Sequence, residues 1–251
     1  MLFSDRLPDI EISRKPVRRL RLTVTQEGAV RCSVPHGVPD MAVRAFINAH
    51  AGWITDTLEK MRLRREQHYS LRYSDGEKHL LQGRLLPLRV EEERGRESAA
   101  FYDDEIVLYC HPDNSVQQRK KVLYKGYYLV FKPTLDALVE KWLVLLGVPP
   151  LTISVRLMKT EWGSCSPKKH RMTFNVDLAR LPADCVEYVV IHEFTHLDHA
   201  NHSGAFWALC EQRLASAGLA DSKTMRRRMR EIIRAAERCN DTLLSVEKTQ
   251  R

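Results

Sequence analysis

Between Val17 and Val34 apolar and polar residues alternate, and Gln26-Glu27-Gly28 interrupts the alternation, which predicts a β-hairpin. The period then changes. From Pro39-Asp40 onward Met41, Val43, Phe46, Ile47, Trp53, Ile54 and Leu58 recur at three-and-four spacing. This predicts one helix that packs on the hairpin's sheet and runs into the basic stretch Lys60 to Arg65. Short alternating segments around His79 to Leu81, Leu85 to Val90 and Ile106 to Tyr109 predict further antiparallel strands. The stripe Val116, Leu123, Tyr127, Val130, Leu135, Leu138, Trp142 and Leu145 predicts a helix from about Ser115 to Leu146, stopped by Gly147 and kinked or split at Pro133. After Pro149-Pro150 a strand, Leu151 to Leu157, a loop, Trp162 to Lys168, and a second strand, Arg171 to Val176, are expected to form a hairpin. Pro182 suits the first turn of a helix running from Ala183 to about His199, and Ser203 caps another ending near Gly218.

Together these elements predict an α+β fold in three parts. Residues 1–114 form an antiparallel β-rich subdomain with one helix, 115–220 a catalytic domain, and 221–251 a basic helix whose tail frays after Asn240. At 251 residues and 43% hydrophobic content the chain can bury a sizeable core. Its longest apolar runs, such as Leu143 to Leu146, are far short of the roughly 20 residues that cross a bilayer. The N-terminus lacks the basic and apolar pattern of a signal peptide, so a cytoplasmic protein is expected. Six dispersed cysteines without a C-x-x-C pair argue for reduced thiols and against a thiolate zinc knuckle. Lys plus Arg outnumber Asp plus Glu by 40 to 32, a bias towards polyanions rather than a signature.

The chemistry concentrates in His192-Glu193-Phe194-Thr195-His196, inside the apolar run Val186 to Ile191. A spacing of four puts both imidazoles on one helix face, where neutral nitrogens bind zinc at about 2.0–2.1 Å and Glu193 can act on water in the open position. A helix with half-buried histidines and a surface glutamate is the simpler reading of those five residues alone; the apolar run before them and the histidines after them favour the metal. Three candidates exist for a third ligand: His199, His202 and a more distant carboxylate. His199 is seven residues from His192, about 10.5 Å along a helix, too far for the same ion. His202 follows Ala200-Asn201, where a left-handed Asn can turn the chain back, and is favoured. Its spacing also occurs in metzincins, although His199 stands where their turn glycine falls and no Met-turn sequence is evident.

Read together, Met158-Lys159-Thr160-Glu161-Trp162-Gly163-Ser164-Cys165-Ser166, Asn175, His192 to Ser203 and Phe206-Trp207 closely resemble the YgjP-like family of metallopeptidases. The resemblance extends upstream to the Arg18-to-Val34 hairpin and fades beyond about Gly218. It implies a zincin-like core and one zinc ion, and, through the family's likeness to SprT-type zinc peptidases, supports His202 as a ligand. Trp162, Gly163, Ser164 and Asn175 are the expected substrate-binding residues, through backbone N–H groups or the Ser164 hydroxyl. Cys165 reads as a packed thiol rather than a nucleophile, and Phe206 and Trp207 as core residues behind the His202 turn.

Lys223 to Arg238 pairs Met225, Met229, Ile232 and Ile233 with a row of arginines, an amphipathic helix in which Arg226, Arg227 and Arg230 could contact nucleic acid, or a solvated face that pairs with Glu231 and Glu237. The expected activity is hydrolysis of peptide or protein substrates through a zinc-activated water, with Glu193 as base. Two alternatives are a pyrophosphatase-like hydrolase of a nucleotide phosphoanhydride, which needs basic residues lining the metal cleft, and a protease recruited to nucleic acid by the basic tail.

Overall fold

The computed structural model describes residues 7–25, 28–67 and 71–249, and side chains within them except those of 62–67 and 241–249. Gln26 and Glu27 of the expected turn, and the side chains of the basic stretch from Arg62, lie outside the described residues. The fold is α+β, and the chain divides into two compact units, Met1–Tyr69 and Ser70–Arg251. Among the described residues no helix is long and apolar enough to cross a membrane.

In the first unit β1 (Ile10–Lys15), β2 (Arg21–Val24) and β3 (Val30–Pro35) form a sheet in the order β1-β3-β2. The expected hairpin is β2 antiparallel to β3, but β1 joins it in parallel, so the sheet is mixed rather than antiparallel. Period two is obeyed on β3: Val30, Cys32 and Val34 are buried, and Arg31 faces solvent. They pack against Val43, Ile47 and Ile54. The single expected helix is two, α1 (Asp40–Ala49) and α2 (Ala51–Gln67), because His50 leaves helical geometry at φ −106° and ψ 10° and turns its ring nitrogen onto the Phe46 carbonyl at 2.8 Å. Met41 and Trp53 are exposed instead of buried.

The second unit holds a four-stranded sheet, β4 (Lys78–Leu81), β5 (Arg84–Glu92), β6 (Ser98–Phe101) and β7 (Ile106–Cys110), in the order β4-β5-β7-β6. Here too the expectation of antiparallel strands needs correction, because β5 and β7 run parallel. Pro87 is tolerated inside β5 because its ladder to β7 starts only at Leu88. The helix α3 (Val116–Leu146) crosses this sheet, capped by a Ser115–Gln118 capping box and ended by Gly147 in the left-handed conformation. Pro133 does not split it: the proline is exposed, as is Leu129, whose carbonyl loses its partner, so water can take that place.

A second sheet, β8 (Thr152–Arg156), β9 (Gly163–Ser166) and β10 (Arg171–Asn175), has the order β8-β10-β9. The expected hairpin of β8 with β10 is a parallel pair, and the hairpin is β9 with β10, so most of the expected loop is an edge strand. Three helices complete the unit: α4 (Ala183–Thr195), α5 (Gly204–Ser216) and α6 (Ser222–Thr249). α6 stays helical to Thr249 rather than fraying after Asn240. One core joins both sheets to the helices: Leu88 and Leu108, Leu123 and Phe131, Phe174, Val190 and Phe206, and Met225 and Met229 belong to it. The strands between 78 and 110 therefore share their core with the HExxH helix.

Candidate metal centre

α4 is buried along most of its length, from Cys185 to Thr195, so its position is set by packing. It ends at Thr195, earlier than the expected His199, and His196 is the residue that closes it. A run of tight turns follows, with the N–H groups of 196, 197 and 198 donating to the carbonyls three residues back. Arg213 of α5 clamps this turn, donating to the Thr195 hydroxyl at 3.3 Å and to Asp198 at 2.9 Å. Overwinding and this clamp reverse the chain; Asn201 is not left-handed, contrary to expectation.

The turn brings His202 back onto His192 and His196. One ring nitrogen from each of the three lies within 4.8 Å of the others, and His202 Nε2 is 3.0 Å from His192 Nε2. A tetrahedral ion with nitrogens at about 2.0–2.1 Å holds them about 3.3 Å apart, so the donor set fits zinc. Phe206, fully buried on α5, forms the floor, with its ring 5.0, 4.6 and 4.8 Å from those of His192, His196 and His202. Trp207 stacks on His202 at 5.4 Å. Both thus hold the histidine turn, as expected. The His199 carbonyl accepts from His196 Nδ1 at 3.1 Å, which orients that imidazole and leaves Nε2 free. His192 has no such support, and among the described residues its buried Nδ1 has no partner. Burial first, then the neighbouring His196, His202 and Arg226 charges, push the His192 pKa down to about 3, and burial lowers that of His196. A neutral His192 is the form that binds metal.

Glu193 is 4% exposed, and among the described residues its Oε2 has no hydrogen-bond partner. Burial, with the charge of Glu161 adding to it, pushes its pKa up to about 8. β9 passes directly against it: a Cβ on Gly163 would lie 2.7 Å from Glu193 Oε1 and 2.8 Å from its Cγ. Gly163, the first residue of β9, is therefore required by the carboxylate, not by a special backbone angle. Asn175 N donates to the Trp162 carbonyl at 2.9 Å, which makes 162 and 175 a hydrogen-bonded pair. Alternation then points the N–H and C=O groups of Gly163 and Cys165 away from β10, to the open edge.

Trp162, Gly163 and Ser164 line a cleft of about 800 Å³ together with the three histidines and Glu193. Asn175 does not, and its expected contact with substrate is corrected. It is buried and donates to the carbonyls of Met158 and Glu161 while accepting from the N–H groups of Met158 and Asp177, so its hydrogen-bonding capacity holds the 158–161 loop. Burial and the Glu193 charge push the Cys165 thiol up to about 11, which keeps it neutral, as a packed thiol should be. Of the arginines expected to contact nucleic acid, Arg226 and Arg230 line the cleft, and Arg227 lies outside it beside Glu231. Tyr188 and Arg234 also line the cleft; Arg234 belongs to the expected row of arginines, whereas Tyr188 was expected only as part of the apolar run. Tyr188 was within reach of the sequence, four residues before His192 on the same helix face.

The family described as YgjP-like, metallopeptidase domain, matches residues 18–229. The crystal structure of the metallopeptidase zymogen of Pyrococcus abyssi abylysin is 28% identical over 31% of this chain and 76% of its own, with a TM-score of 0.29. That of Methanocaldococcus jannaschii jannalysin, also a metallopeptidase zymogen, is 19% identical over 41% and 89%, with a TM-score of 0.33. No curated protein matches.

Proposed function

The chain belongs to the YgjP-like metallopeptidase family, and on that premise we propose that it is a zinc peptidase, with the ion held by His192, His196 and His202 and Glu193 as general base. The observation that carries this reading is a triangle of three imidazoles, their nitrogens within 4.8 Å of one another, beside a buried carboxylate that has an unsatisfied oxygen. Three neutral nitrogen ligands with room for a fourth are the donor set of a catalytic zinc site. A bound zinc supplies Lewis acidity, polarising a carbonyl and lowering the pKa of water. Glu193 takes the proton of the attacking water and passes it to the leaving amine.

The substrate lies extended along β9. The outward N–H and C=O groups of Gly163 and Cys165 pair with it as a missing strand would, which sets a scissile carbonyl beside Glu193. The absence of a side chain at Gly163 lets strand and base approach this closely. One observation favours a second reading, hydrolysis of a phosphoanhydride: Arg226, Arg230 and Arg234 line the cleft and could neutralise phosphates.

The deciding experiment measures zinc content and turnover side by side. The wild type should hold about one zinc per chain. Glu193→Gln should keep the zinc and lose turnover by at least about 10²-fold, whereas His202→Ala should lose the zinc. Zinc at full stoichiometry and affinity in His202→Ala would move the third ligand elsewhere, and full turnover in Glu193→Gln would remove the base. Cleavage of a nucleoside triphosphate but of no peptide, lost in the same variants, would select the second reading.

A further inference from the structure

Five of the six arginines of α6 fall into two groups. Arg227 lies beside Glu231 and Arg228 bonds Asp184, so both point away from the cleft and have acidic partners. Arg226, Arg230 and Arg234 line the cleft, and among the described residues none of them has a carboxylate partner. Arg226 is held at the metal end. Its guanidinium lies 4.7 Å over the ring of Trp207, itself stacked on His202, and its Nε donates to the Ser222 carbonyl at 3.1 Å. Arg230 and Arg234 follow at steps of four residues, about 6 Å each along the helix axis. Met229 and Ile233 between them keep this wall apolar where it is not charged.

An extended peptide places side chains of one face every second residue, about 6.6–6.8 Å apart. The pitch of the arginine row therefore matches alternate side chains of a strand laid along it. We propose that this row makes the site selective for acidic peptides, reading Asp or Glu at alternate positions on one side of the scissile bond. The inference rests on the peptidase reading above. Arg226 meets the side chain nearest the reacting carbonyl, and Arg230 and Arg234 meet the next two. Glu237, also on the cleft wall and three residues beyond Arg234, ends the row by repelling a further carboxylate. Three guanidiniums left in contact with water suit this role: each forms an ion pair only when substrate arrives, and each pair adds modest affinity that salt weakens.

The test uses the full-length, zinc-loaded Glu193→Gln protein and fluorescent dodecapeptides read by anisotropy. One peptide carries three Glu at alternate positions, one the same three in a row, one three alternate Lys, and one no charge. The alternate-Glu peptide should bind roughly tenfold tighter than the neutral one at low salt and several-fold tighter than the contiguous one. That preference should disappear when Arg230→Ala and Arg234→Ala are added, survive with Arg230→Lys and Arg234→Lys, and turn towards the Lys peptide with Arg230→Glu and Arg234→Glu. Equal binding of acidic and neutral peptides, or a preference that persists in the alanine variant, would overturn the proposal. So would displacement of the labelled peptide by tripolyphosphate at lower concentration than by unlabelled peptide, which would reassign the row to phosphate. Incubating the wild type with the alternate-Glu peptide keeps the two claims separate: a peptide bound selectively but never cut leaves the recognition standing and removes the peptidase reading.

Discussion

The two walls of the cleft are built by opposite means. On the α4 and β9 side the chemistry-bearing groups are held by packing: Glu193 is 4% exposed, Phe206 is fully buried beneath the histidines, and Gly163 leaves no gap beside the carboxylate. On the α6 side Arg226, Arg230 and Arg234 are exposed, while the helix that carries them is fixed by Met225 and Met229 in the core and by the Asn240 amide. That amide donates to the Lys78 carbonyl and accepts from the Lys78 N–H, both at 2.8 Å. Reaction chemistry needs groups kept out of water with shifted proton affinities. Recognition of charge needs groups left in water until a partner comes, on a support that does not move.

If the first wall depends on packing, damage to its floor should have the largest effect. Phe206→Ala should cost about 3–5 kcal/mol of stability in urea melts and weaken zinc binding in competition with a chelator, because all three imidazoles rest on that ring. A Phe206→Ala protein with undiminished zinc affinity would break the idea that packing shapes the triad. Next comes Gly163→Ala. The added Cβ must displace the Glu193 side chain, so kcat should fall about 10²-fold, or about 2.7 kcal/mol in barrier, with zinc content and melting temperature nearly unchanged.

Proton linkage sharpens the same contrast. In metal-stripped protein Glu193 titrates near 8 when folded against an ordinary 4.5, so the folded state holds the extra proton and stability falls as pH rises through that window. His192, near 3 against 6.5, acts in the opposite sense, so stability rises with pH between 3 and 6.5. The two cancel between about 4.5 and 6.5. Above 6.5 only the Glu193 contribution remains, and stability should drop by about 2 kcal/mol by pH 8. Glu193→Gln should abolish that drop, and an unchanged drop in the variant would place its origin elsewhere. The smallest effect belongs to the second wall: Asn240→Ala should cost about 1 kcal/mol in urea melts and speed hydrogen exchange at Lys78, with the zinc affinity of the opposite wall unaffected.

The first wall was largely legible in the sequence because it is local. His192, Glu193 and His196 share a helical period, and His202 lies one turn of chain away. β9 was not legible: Gly163 to Ser166 are all partly buried, with none of the apolar alternation that marks a strand. Nor were the parallel pairs β1 with β3, β5 with β7 and β8 with β10, since strand direction depends on where connections run. The α3 stripe named the right face but included Val116 and Leu145, both exposed. A 31-residue helix is about 46 Å long, whereas four strands span roughly 15–20 Å, so its ends overhang the sheet. The arginine row could be counted in the sequence, but its facing could not, because it depends on a contact between residues 162 positions apart.

That contact has a further consequence, for solubility. β4 is the outer strand of its sheet, and an outer strand with free main-chain groups is a template on which another chain can grow a ladder. The Leu88 N–H donates to the Glu77 carbonyl, so alternation makes Lys78 and Pro87 a non-hydrogen-bonded pair and points both polar groups of Lys78 outward. The Asn240 amide occupies both, and so closes the strand to an incoming neighbour with a single side chain in place of another strand. Chains shortened before Asn240 should then assemble edge to edge in proportion to their concentration, even if their cleft still holds its ion.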